Sequence, residues 1–187
     1  MGSILNDTII SKMDILYTVE EKYLQAIEEL NYGELPKALH LFHELISSNP
    51  EYARAHYQLG CFYHHQFKDY QTAGYYYKTC IELDPCFPDV YQHYLLLAVT
   101  LELHKLVPYI ANKALITPGV SKANIYESLG LYEEKKQHFA AAKTQFKMAA
   151  SAAESETEHR LYQDHLKRIF EKQNSNQRMV YAYQEGS

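Results

Sequence analysis

The chain nearly repeats itself every 35 residues. His56, Tyr91 and Tyr126 keep that spacing, as do Leu59, Tyr94 and Leu129, and then Gly60, Leu95 and Gly130. Ala38 and Ala73 share it, with Phe42 and Tyr77, and Pro50 and Pro85. A period in this range specifies supersecondary units that stack on one another rather than gather around one centre. Each unit leaves an apolar face that only its neighbour can cover, and the working surface of such an array is the concave side the units share.

The repeating unit reads as helical. Asn-Gly and Asp-Gly hairpin turns are missing, and no segment sustains an alternation of apolar and polar residues. Thr18-Val19-Glu20-Glu21 and Ser155-Glu156-Thr157-Glu158 are capping boxes, in which hydroxyl and carboxylate satisfy free amides reciprocally. Gly33, Asn49-Pro50, Asp84-Pro85 and Pro118-Gly119 are stops. Between these marks the spacing predicts helix pairs at 18–32 and 34–48, 52–67 and 69–83, 87–103 and 105–116, and 121–136 and 138–153. A further helix follows at 155–172, and residues 173–187 read as a loose polar tail interrupted by Met179-Val180-Tyr181. Within residues 1–17, Ile10, Met13 and Tyr17 stand at helical spacing and suggest a short amphipathic lead-in helix.

Repeat two contains Leu59-Gly60-x-x-Tyr63 on its first helix, then Ala73, Tyr77, Cys80 and Pro85. Repeat four contains Tyr126-x-x-Leu129-Gly130, then Phe139, Ala142, Phe146 and Ala149, and repeat one contains Ala26, Gly33, Ala38, Phe42 and Pro50. This pattern resembles the tetratricopeptide repeat family. The resemblance implies an all-α solenoid of about four helix-turn-helix repeats at 18–153, closed by a capping helix at 154–172. Small residues such as Gly60, Ala73, Gly130 and Ala142 let paired helices approach, while Tyr63, Tyr77 and Phe146 fill the gaps between pairs. Repeat three departs from the pattern, with Val107 and Ala111 where Ala and an aromatic are usual, and Pro108 opening its second helix. Repeat two carries one extra residue near Phe67-Lys68. Helix 155–172 has one apolar stripe, Leu161, Tyr162, Leu166, Ile169 and Phe170, which suits a cap or the seam of a coiled coil.

In this family the first helix of each pair lines the concave face. The resemblance then places Tyr23, Ile27, Arg54, Tyr57, Cys61, His64, Gln92, Leu96, Thr100, Glu127, Leu131 and Glu134 along a partner-binding groove. That groove is apolar and aromatic at one end and acidic at the other, which predicts a peptide guest with an apolar anchor and some basic character. Tyr57 and Leu96 are expected to lie open in it, so that alanine at either position costs about 1 kcal/mol or less. One family subtype grips the acidic C-terminal tails of heat-shock chaperones with a clamp of Lys, Asn and Arg. Here those places hold Tyr23, Ile27, Gln58, Asp89 and His93, and binding of such tails is not expected.

Other function classes find little support. A net charge of −5 gives no basic field for nucleic acid or an anionic membrane. Cys61, Cys80 and Cys86 form no C-x-x-C pair and leave an odd count, as in reduced cytoplasmic proteins. The apolar run 94–101 is too short to span a bilayer, and no signal peptide is read at the N-terminus. The ten histidines follow no metal-ligand spacing and read as surface residues, so no metal and no cofactor is expected. No phosphate-binding glycine loop or nucleophile motif appears, and Ser128 and Cys61 have no adjacent base. The reading is a non-enzymatic cytoplasmic adaptor for a protein or peptide partner. A small chaperone resembling those of type III secretion is the alternative, and the terminal segments offer a route to a homo-oligomer.

Overall fold

The structure, a computed structural model, describes the backbone of residues 18–185 and side chains through residue 174. The lead-in helix expected within residues 1–17 lies outside these residues. All the regular structure among those described is helical: α1 (Val19–Tyr32), α2 (Leu35–Ser48), α3 (Ala53–Phe62), α4 (Tyr70–Leu83), α5 (Asp89–Thr100), α6 (Leu106–Ile116), α7 (Lys122–Lys135), α8 (Phe139–Ala152) and α9 (Glu156–Glu185). A π-helical turn, Tyr63–Phe67, continues α3.

Both capping boxes form. The Thr18 hydroxyl accepts from the Glu21 amide at 3.2 Å while Glu21 accepts from the Thr18 amide at 2.7 Å. Ser155 and Glu158 do the same at 3.2 and 3.3 Å, which starts α9 where the sequence predicts it. Asp69 and Ser121 cap α4 and α7 by accepting from the amides of Thr72 and Asn124. The turns inside repeats two, three and four contain Lys68, Glu102 and Gln137, all in the left-handed region with φ of 54° to 60°.

The helices form four antiparallel pairs, α1/α2, α3/α4, α5/α6 and α7/α8, and each second helix packs on the first helix of the next unit. The pairing rests on close contact across each hairpin. A Cβ on Gly60 would meet the Tyr77 ring at 2.5 Å, and one on Gly130 would meet Phe146 at 2.6 Å. Repeat three exchanges the two sizes: Leu95 stands at the glycine's place and Ala111 at the aromatic's, both buried in the central apolar cluster. Total volume is conserved, which is the substitution that packed cores tolerate best. The family's departures in repeat three are therefore compensated inside it.

The extra residue of repeat two is absorbed by the π turn, whose i→i+5 bonding accommodates one residue more than an α turn. At the first unit, Lys22 and Gln25 stand where His56 and Leu59 stand in the second, so that end of the stack is polar. At the other end α9 packs on α8, burying Tyr162, His165 and Ile169. It runs on to Glu185, past residue 172, where the sequence reading ends it.

Candidate functional site: the face of the first helices

Side chains of consecutive first helices touch along one face of the stack, joining residues about one repeat apart. Glu20 on α1 accepts from the Tyr52 hydroxyl at 2.6 Å and from Arg54 at 2.8 Å. Gln58 donates to the Tyr23 hydroxyl at 3.2 Å, and Asn124 donates to Gln92 at 3.1 Å. Lys135 pairs with Glu102 at 2.8 Å. At the far end His165 donates to Glu127 at 3.0 Å, and Glu134 receives Arg168 at 2.6 and 2.9 Å and Lys172 at 2.9 Å. Helix α9 thus stacks on α7 as a further first helix would.

This arrangement distributes the twelve expected groove residues unevenly. Arg54, Gln92, Leu96, Thr100 and Leu131 are exposed, with Leu96 at 42% and Leu131 at 36%. Tyr23, Ile27, Tyr57, Cys61 and Glu127 are half-buried. His64 and Glu134 are buried, which corrects two of the assignments. For His64 the reason is its place in the repeat: Val99 and Glu134, one and two repeats on, are buried as well, and the His64 ring lies within 3.2 Å of the Tyr77 hydroxyl. Burial, with His65 and His93 adding to it, holds the His64 imidazole down at about 4. For Glu134 the reason is α9: burial alone would raise its carboxyl, but the hydrogen bonds from Arg168 and Lys172 outweigh it and lower the group.

The acidic end expected of the groove is therefore occupied from within the chain, and the case for a basic guest loses its footing there. Tyr57 is also less open than expected. Its ring meets those of Tyr77, Phe87 and His93 at 6.5, 5.2 and 5.6 Å, and burial pushes its hydroxyl well up. The Cys61 thiol receives the Tyr77 hydroxyl at 3.7 Å and is raised by burial, the opposite of what a nucleophile requires. The Ser128 hydroxyl is spent on the Asn124 carbonyl at 2.9 Å.

Three histidines read as surface residues, His56, His64 and His165, are buried. The residues that sequence reasoning missed on this face are His65 and His93. His65 is exposed, lies 3.4 Å from His93 across two helices, and stacks on His64 at 4.3 Å. A separation of 28 residues fits neither helical spacing nor the repeat, so the sequence pattern gives no sign of their meeting.

A row at equivalent places in the four repeats remains, Ile27, Cys61, Leu96 and Leu131, the first two half-buried and the last two exposed. Residues 53–85 match the family model described as tetratricopeptide repeat. Repeat two is thus a tetratricopeptide repeat, and the fold of the whole chain is tetratricopeptide-like. Its fold is similar to that of MamA, with 21% identity and a TM-score of 0.64 over 72% of this chain and 78% of that one. A MamA segment from Desulfovibrio magneticus RS-1 aligns at 16% identity and a TM-score of 0.63, over 84% of this chain and 96% of that one. PilW, a widely conserved type IV pilus biogenesis factor, aligns at 16% and 0.64 over 84% and 76%. No curated protein matches the chain in sequence. Tetratricopeptide solenoids typically serve as scaffolds for contacts with other proteins. Among the described residues no helix is long and apolar enough to cross a membrane.

Proposed function

We infer that this tetratricopeptide-like chain is an adaptor that holds a segment of a partner protein along its first helices. The observation that carries the reading is the row Ile27, Cys61, Leu96 and Leu131, which presents one apolar or small side chain per repeat. Packed helices lie about 8–10 Å apart. An extended chain of the polyproline-II type advances about 9 Å in its three-residue turn, and a helix advances about 10 Å in seven. The guest is therefore a segment with an apolar side chain at every third position if extended, or every seventh if helical.

The charges bordering the row support an apolar mode of recognition. Arg54 pairs with Glu20, Lys135 with Glu102, and Glu134 with Arg168 and Lys172. Charges satisfied in this way offer little to a charged guest, and binding then varies weakly with salt. Selection from a random peptide library tests the reading. Peptides captured by the full chain should carry the three- or seven-residue apolar period and lose binding to Leu96→Asp/Leu131→Asp. Peptides that bind this double variant as well as wild type would show that the row is not the site.

A further inference from the structure

We propose that His65 and His93 form a transition-metal site, for an ion of the zinc, nickel or copper type, between the first helices of repeats two and three. Their facing nitrogens, Nε2 of His65 and Nδ1 of His93, are 3.4 Å apart. Two imidazoles on a tetrahedral zinc at about 2.0–2.1 Å each stand about 3.4 Å from one another. The ring planes cross at 76° with centroids 5.6 Å apart, so the two rings now meet almost end to end and share a proton. An ion replaces that shared proton and bends the pair. Each neutral ring keeps one N–H, on His65 at Nδ1 and on His93 at Nε2, so the exchange is a tautomeric shift with no proton released.

The surroundings divide the labour. His93 is half-buried and set in place by the rings of Tyr57 and Tyr77 at 5.6 and 6.3 Å, while His65 is exposed and has room to tilt. His65 lies in the π turn Tyr63–Phe67, a feature that in other proteins recurs at functional sites. Imidazole nitrogen favours copper, nickel and zinc, whereas magnesium and calcium demand oxygen.

Among the described residues no group of three or more His, Cys, Asp or Glu side chains could hold an ion. The chain thus supplies two ligands, and the exposure of His65 leaves the other coordination positions open to solvent. Water fills them in the free protein, and a donor atom of a bound segment fits them equally. The inference about the metal does not depend on the guest.

Zinc titration of the full chain by calorimetry, with magnesium as control, tests it. Wild type should bind one equivalent of zinc that magnesium does not displace, and the NMR signals of both rings should move together. His65→Gln and His93→Gln should each weaken that equivalent by roughly tenfold or more. His65 is exposed, so His65→Gln should melt in metal-free buffer as wild type does, and this variant alone decides the matter if His93→Gln folds poorly. Zinc binding by His65→Gln equal to that of wild type would assign the ion to other histidines of the ten and overturn the proposal.

Discussion

His56 donates through Nε2 to the carbonyl of Pro50, 2.7 Å away, and so ties the first helix of repeat two to the end of repeat one. A carbonyl can only accept, which fixes the tautomer and leaves Nδ1 as a buried acceptor without a partner. One repeat later Tyr91 makes the same bond to Pro85 through its hydroxyl, at 2.6 Å. The recurrence of His56, Tyr91, Pro50 and Pro85 at one spacing is thus a repeated hydrogen bond as well as a repeated shape. His56→Tyr should therefore keep the bond and remove the unpaired nitrogen, leaving stability unchanged or raised. His56→Phe should lose about 1 kcal/mol, the net value of one such bond. Urea unfolding of the two variants checks the difference.

Gly60 and Gly130 are sized by the rings they face. Gly130→Ala should cost about 1–3 kcal/mol, because its Cβ would lie 2.6 Å from Phe146. The cost should shrink in a Phe146→Ala background, where the obstacle is gone, and the coupling is read from a double-mutant cycle. Gly74, by contrast, sits in mid-helix with nothing nearer to a new Cβ than a Leu97 methyl at 3.8 Å. Gly74→Ala should stabilise by about 0.5–1 kcal/mol through helix propensity. Thermal melts of the two alanine variants should move in opposite directions.

Tyr57 and Leu96 part company, although the repeat pattern puts both on the groove. Tyr57 is packed among three rings and against the central core, so Tyr57→Ala should cost about 2 kcal/mol. Leu96 is 42% exposed, and Leu96→Ala should stay within about 0.5 kcal/mol. Equal losses in the two variants would mean that the face has been assigned wrongly. A loss of binding in Leu96→Ala is then evidence about the partner, whereas the same loss in Tyr57→Ala also reflects stability.

The parts of this molecule that follow local rules were readable in its sequence. The period gave the pairs and their order, and the two capping boxes form as written, but Tyr77 and Phe146 press on Gly60 and Gly130 inside their own pairs, where the sequence reading set them between pairs. The parts that depend on angular phase or on contacts between distant residues were not. His64 faces inward and His65 outward, as Val99 and Thr100 do one repeat on and Glu134 and Lys135 two repeats on, a phase that a groove drawn from the first-helix pattern alone assigned wrongly at His64 and Glu134. Glu134 looked like a free carboxylate because Arg168 lies 34 residues away, and nothing in the local pattern joins them. After residue 172 the chain runs through Gln173–Arg178 without an apolar residue, so nothing there signals that α9 continues to Glu185.

Glu134 also determines how the stack ends in acid. Arg168 and Lys172 hold its carboxyl below the usual value of 4.5, so the folded state binds this proton less readily than the unfolded chain does. A group lowered in this way stabilises fully above its unfolded value, and its contribution fades as the pH falls through the lowered folded one. Acidification below about 4.5 should therefore loosen α9 from α7 before the central repeats respond. Arg168 and Lys172 are 39% and 51% exposed, so solvent weakens the pair, and Glu134→Gln should cost about 1–3 kcal/mol rather than the full penalty of a sealed ion pair. Hydrogen exchange across residues 156–174, followed from pH 6 to pH 3.5, should show faster opening in wild type as the pH drops. In Glu134→Gln the same segment should open faster already at pH 6 and change less on acidification. A segment whose protection changes equally in both proteins would place the acid-sensitive contact elsewhere, with Glu127 and His165 the next pair to replace.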